Sequence, residues 1–289
     1  MAVAIGVVLS SVDSAAELRP VVYTVNYPLH YFARRIAGNR LKVVFPAPKR
    51  IDPAFWVPEP KVIVGYQDAD LILVNGAGYA KWRDVVSVPR RSIVDTSAAF
   101  RKSFIPIARV SHTHGPTGKH SHGAVAFTTW LDFNQAARQA KAIADAFAKR
   151  WPRARQSFET NLAGLSADLR ALDLRMGALS AGKPDLPLIA SHLVYQYFAR
   201  RYRLNLKSVQ WEPNEVPNLD QWAKLAALRK SHQAAWMIWE GPPKAETVAR
   251  LEALGVRSVV FEPAGNVPED GDFLAVMKRN ISNLETVFR

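Results

Sequence analysis

Cysteine is absent from all 289 residues, which excludes disulfides, thiolate metal sites and a lipid anchor attached through cysteine. Long apolar runs are absent too, since none reaches the eighteen residues a membrane-crossing helix needs. Enzyme signatures are missing: there is no G-x-S-x-G elbow, no P-loop, no H-E-x-x-H and no G-x-G-x-x-G. Acidic residues are in deficit, with 25 Asp and Glu against 38 Lys and Arg, a formal charge of +13. The basic residues are dispersed through PKR, FRK, AKRWPRAR and FARRYRLNLK with no recognition motif beside them. They read as a solvated surface and point away from a nucleic-acid partner.

Histidine is scarce, at seven residues, and its distribution is uneven. Four of the seven, His112, His114, His120 and His122, fall within VSHTHGPTGKHSHG, residues 110–123. They form two H-x-H pairs separated by Gly115, Pro116 and Gly118. Alternate residues of an extended segment point the same way, so each pair projects two imidazoles together. The intervening glycines let the two arms fold toward one another. Clustered imidazoles of this kind read as metal binding.

The chain start is apolar, AVAIGVVLSS, followed by Ser14-Ala15-Ala16. This resembles the end of a secretory signal with its cleavage site, so residues 1–16 are expected to be the remnant of a signal peptide. With no lipidation cysteine, the expected location is the periplasm, as an exported protein that is not lipidated.

Beyond the leader, strand-like and helix-like segments alternate. VVYTVNY (21–27), LKVVFP (41–46), DLILVNG (70–76) and SIVDTS (92–97) read as strands. YPLHYFARRIAG reads as a helix ended by Gly38. Residues 158 to 179 differ: Phe158, Leu162, Leu165, Leu169, Leu172, Met176 and Leu179 alternate steps of four and three. That is one apolar stripe on one helix, with Pro152 in its first turn and Gly182-Lys183-Pro184 stopping it. After it the rhythm resumes with strands in DLPLIASH, LKSVQWEP, AAWMIWEG and VRSVVFEP and a final helix in FLAVMKRNISNLETVF. The expected fold class is α/β: two α/β lobes with mainly parallel sheets joined by one long rigid helix. The lobes span 17–150 and 183–289, and the connecting helix spans 151–182. The stripe is short enough to pack on its own lobes, so a monomer is expected.

In open α/β sheets ligands bind beyond the carboxyl ends of the strands. His192, Glu240 and Glu262 follow three apolar strands, in PLIASH, WMIWE and SVVFE. If those strands are neighbours, an imidazole and two carboxylates converge on one edge, a donor set suited to zinc first and manganese second.

Four segments then carry a resemblance to the substrate-binding proteins of zinc and manganese ABC transporters. IDPAFWVPEP (51–60) resembles that family's D-P-H-x-x-E-P segment, and TTWLDFNQA (128–136) resembles its H-x-W-L-D-P segment. SHLVYQYFARRY (191–202) resembles the segment in which a His or Glu ligand opens a helix, and SVVFEP (258–263) falls where the last acidic ligand stands. The resemblance covers the chain after about residue 20. It implies an exported, non-catalytic protein that captures a divalent cation, most simply zinc, and delivers it to a membrane permease. It also implies His192 and Glu262 as ligands, while the two histidines of the pattern fall on Ala54 and Thr128, and Val57 replaces a glutamate.

Two explanations stand side by side. The loop histidines replace the lost pair, or the cleft has changed cargo. Two other functions also stay open: a metal chaperone or buffer without a permease, and a hydrolase using His192 with Glu240 or Glu262.

Overall fold

The computed structural model describes residues 19–107, 111–113, 119–121 and 125–289. The expected leader at 1–16, and His114 and His122, lie outside the described residues.

The first sheet is built from β1 (Val21–Thr24), β2 (Lys42–Val44), β3 (Leu71–Val74) and β4 (Ile93–Asp95), all parallel, in the order β2-β1-β3-β4. All four side chains of β3 are buried, as an uninterrupted apolar strand covered on both faces requires. The strand read into residues 21–27 stops at Thr24. Asn26 then accepts a hydrogen bond from the Leu29 N–H, and Pro28 presets the first turn of α1 (Tyr27–Ala37). That start signal outweighs the β-propensity of Val25 and Tyr27. The helix α1 ends at Gly38, with φ +56°, where only glycine is unstrained. A short α2 (Pro60–Gln67) precedes β3. An antiparallel pair, β5 (Ser111–Thr113) with β6 (Lys119–Ser121), precedes α3 (Phe133–Arg150). The carboxylate of Asp132 caps α3 by accepting from the Asn134 and Gln135 N–H groups.

The connecting helix α4 runs Arg155–Ala181, 27 residues or about 40 Å. Pro152 lies in a separate 3-10 turn, Pro152–Ala154, rather than in the first turn of α4. Phe158, Leu165, Leu169, Leu172 and Met176 are buried, and Leu162 and Leu179 pack partly covered against the same core. The stripe is consumed inside the molecule, between α1 and α3 of the first lobe and α5 (Gln196–Tyr202) and α8 (Phe273–Phe288) of the second. Ion pairs fasten it to both sides: Arg35 with Asp168, Arg201 with Asp173, and Arg175 with Glu285.

The second sheet holds β7 (Pro187–Ala190), β8 (Asn205–Ser208), β9 (Trp236–Trp239) and β10 (Arg257–Val260), parallel, in the order β10-β9-β7-β8. Helices α6 (Leu219–Ser231) and α7 (Ala245–Ala253) complete this lobe. Trp211, Trp222 and Trp239 fill its smaller core. In both sheets the strand order reverses beside the first strand, between β1 and β3 and between β7 and β9. Crevices form at such switch points, and the two crevices face each other. The lobes meet there directly, through Tyr27 N–H to the Gly265 carbonyl at 3.0 Å and Trp130 Nε1–H to the Pro263 carbonyl at 2.7 Å. Among the described residues no helix is long and apolar enough to cross a membrane.

Candidate metal site

The three strands expected to present His192, Glu240 and Glu262 are neighbours, β7, β9 and β10. His192 is buried, and its Nε2 lies 3.5 Å from Glu212 Oε1. Glu212 follows β8, the fourth strand of the same sheet, so all four strand ends bring a metal-ligand type to one edge. Sequence reasoning passed over Glu212. Its signal was present, because W-E-P at 211–213 repeats the aromatic-Glu-Pro pattern of F-E-P at 261–263.

Glu262 is held from both sides of its peptide. Its N–H donates to Asn280 Oδ1 at 3.0 Å, and Asn280 Nδ2 donates to its carbonyl at 2.7 Å. Burial pushes the Glu262 carboxyl above its usual range, and the Arg279 guanidinium, 3.8 Å away, pulls it back. Between the strand ends sits the buried Tyr195 phenol, donating to the Phe261 carbonyl at 2.7 Å. Burial first, then the negative charges of Glu240 and Glu262, drive its pKa well up. Both carboxylates therefore face one buried hydroxyl, from adjacent strands.

The first lobe offers no matching donors at the two positions the resemblance singles out. Ala54 is buried, with its N–H bonded to Asp52 Oδ1 at 2.8 Å. The Thr128 hydroxyl donates to the Val194 carbonyl, two residues past His192, so its proton is already engaged across the lobe boundary. Around them the wall is aromatic: Phe127 packs edge-on against Phe55 and Tyr79, and Tyr79 against Trp130. Behind the wall a buried polar knot holds the loops. Asn75 Oδ1 accepts from Asn26 and Gln139, and Asn75 Nδ2 donates to the Phe127 carbonyl at 2.8 Å. Gly76, with φ +75°, is obligatory beside it, since a Cβ there would lie 1.9 Å from Ser97 Oγ.

Among the described residues, no three His, Asp or Glu side chains gather closely enough to hold a metal ion. The edge of the second lobe is a half-site. The histidine hairpin is joined at its foot to the helix that follows His192. In β5 and β6, His112 lies directly opposite His120. The foot of the hairpin is tied by Pro106 pairing with Val125 and by Ala126 N–H to the Ile105 carbonyl at 2.9 Å. Helix α5 grips that foot: the Tyr197 hydroxyl accepts from Ile105 N–H at 3.3 Å and donates to the Ala126 carbonyl at 2.9 Å. Arg200 adds a bond to the Ser103 carbonyl at 2.6 Å. The helix that follows His192 thus brackets the base of the segment carrying the other histidines.

The family described as zinc-uptake complex component A, periplasmic, matches residues 22–287. The chain belongs to that family. Relatives are distant but cover nearly the whole chain. The high-affinity zinc uptake system protein ZnuA of Bacillus subtilis is 26% identical over 294 residues, covering 95% of this chain and 89% of that protein. The zinc-binding lipoprotein AdcA of Streptococcus pneumoniae serotype 4 is 22% identical, covering 98% of this chain. The chain spans only 58% of the length of that AdcA. Among solved structures, the metal-dependent lipoprotein YcdH of Bacillus subtilis superposes with a TM-score of 0.79 at 21% identity, over 94% of this chain and all of that one. The two-lobed fold with a connecting helix is that of the family, as the four segments implied. Members of the family bind metal for transport, and their names place them in the periplasm or on a lipid anchor.

Proposed function

We propose that the chain works outside the cytoplasm as the solute-binding component of an ABC transporter, capturing a divalent transition metal, zinc first, and handing it to a membrane permease. The observation that carries this reading is that α5, the helix following His192, brackets the foot of the histidine hairpin, two residues before Thr128. Zinc takes imidazole nitrogen and carboxylate oxygen, most often four ligands in a tetrahedron. His192 and Glu262 supply one imidazole and one carboxylate, with Glu240 and Glu212 beside them. His112, His114, His120 and His122 make the first capture and complete the set that Ala54 and Thr128 leave short. The ion is cargo, bound and released unchanged, so no catalytic role is assigned. Release follows docking of the monomer on its permease, because α4 resists hinge closure.

The test is zinc titration of metal-free protein, repeated with His192→Ala and with residues 112–122 deleted. Each change is expected to weaken zinc binding about tenfold or more. Tight, stoichiometric binding that survives both changes overturns the site. A second reading is favoured by the engaged hydroxyl of Thr128 and the methyl of Ala54. In it the cleft has changed cargo, and the intact protein then shows no tight zinc or manganese binding. Capture of a permease by the zinc-loaded protein separates a transporter component from a free-standing buffer.

A further inference from the structure

The +13 charge is not spread evenly, and one concentration of it lies at the end of the first lobe away from the cleft. The residues just ahead of β1 and β2 are Arg19 and Arg40. These strands pair in parallel, and Lys42 N–H bonds the Pro20 carbonyl at 2.9 Å, so the two arginines arrive side by side at the amino edge of the sheet. The turn between α3 and α4 brings Arg150 and Arg153 to the same place. Together the four line an open depression of about 400 Å³ whose floor includes Trp151 and Phe158.

Among the described residues, no acidic side chain lines this depression. The nearest compensation is Asp70, 3.7 Å from Arg150, and its other oxygen already accepts the Val21 N–H at 2.8 Å. Arg19, Arg40 and Arg153 form no ion pair among the described residues. Ala154, the N-cap of α4, lines the depression as well, with no side chain bonded there. The positive end of a long helix dipole therefore adds to four guanidinium charges. Such an arrangement repels itself and is relieved by a compact anion with several acceptor oxygens. Guanidinium forks pair with carboxylates and phosphates alike, two bonds at a time, but the additional oxygens of a phosphate can serve several forks at once.

We propose that this depression is a phosphate-binding site, taking a phosphate ester whose organic part lies on the Trp151–Phe158 floor. It is separate from the metal cleft, because the cleft lies at the carboxyl ends of the strands and this site at their amino ends. The ester is either a soluble metabolite or the headgroup of an anionic phospholipid, and the shared chemistry is the phosphate. The full-length chain is titrated calorimetrically with inorganic phosphate and with phenyl phosphate, and sedimented with phosphatidylglycerol or phosphatidylcholine vesicles. Each measurement is repeated on Arg40→Ala/Arg153→Ala and on Arg90→Ala/Arg91→Ala, an exposed pair elsewhere with the same charge change.

Phenyl phosphate is expected to bind saturably and more tightly than inorganic phosphate. The first double variant should weaken it about tenfold or more and the second by less than about twofold, with zinc titration unchanged in both. Sedimentation with phosphatidylglycerol alone, lost in the first variant, identifies the lipid headgroup as the source. Soluble binding without sedimentation identifies a free ester. Absence of saturable binding to every probe, or equal losses in the two variants, overturns the proposal.

Discussion

Two of the three isolated histidines are quiet structural groups, and they show what the clustered four are not. His232 ends α6 and its Nε2 shares a hydrogen bond with the Leu188 carbonyl at 2.8 Å, closing a helix onto a strand. His30 lies on α1 between the rings of Tyr27 and Phe45. Burial, reinforced by the Arg34 charge, pushes its pKa down to about 4 from 6.5. A depressed pKa means that the folded state holds a neutral imidazole. Its contribution is fully present above pH 6.5 and is lost as pH falls from 6.5 toward 4, where the unfolded chain binds the proton more readily. The linkage is worth at most about 3 kcal/mol. The His30→Phe variant should therefore lose less stability than the parent between pH 7 and pH 4, read from denaturant midpoints at each pH. Parallel losses in the two proteins would show that His30 is not the titrating group.

At the scale of elements, the molecule divides into what a periodic pattern announces and what only the fold assembles. The stripe on α4 is legible because seven large apolar residues keep one face over six turns. Leu169 sits fully buried at its middle, whereas Leu174 on the opposite face is exposed. Leu169→Ala should cost about 3 kcal/mol, lowering Tm by roughly 5 °C, while Leu174→Ala changes it little. Similar losses at the two positions would deny α4 its place in the core. The four strands of the second lobe were legible as short apolar runs, and with them His192, Glu240 and Glu262 at their ends. Helix α3 was not, because half of its buried face is alanine (Ala136, Ala140, Ala144 and Ala148), which carries little contrast in a hydrophobic pattern. Glu212 carried a local signal, the W-E-P that repeats F-E-P, but it stands four residues beyond β8 and gains its weight only when the chain returns toward His192.

The bracket made by Tyr197 was beyond the sequence altogether, since it joins residues 92 and 71 positions apart. Tyr197→Phe removes both of its hydrogen bonds and leaves the ring packed. Two such bonds are worth about 2 kcal/mol together, so zinc binding should weaken by up to about thirtyfold through a loosened hairpin, with Tm shifted by only a few degrees. An unchanged zinc titration would mean that the hairpin acts without being held.

For the whole molecule the expectation is rigidity. A compact chain of this length has a radius of gyration of about 19 Å. Zinc should leave its small-angle scattering profile unchanged, because ion pairs and a continuous core fasten α4 to both lobes. Compaction on adding zinc would contradict a fixed helix and favour a hinge.

The same helix has a further consequence. An α-helix turns by about 100° and advances 1.5 Å for every residue. With both ends of α4 anchored, inserting one residue into it would swing one crevice around the other and move Val194 away from Thr128, although no ligand had been touched. The relative phase of the two half-sites is thus written in a residue count, 27, along a segment that contributes no donor atom to either.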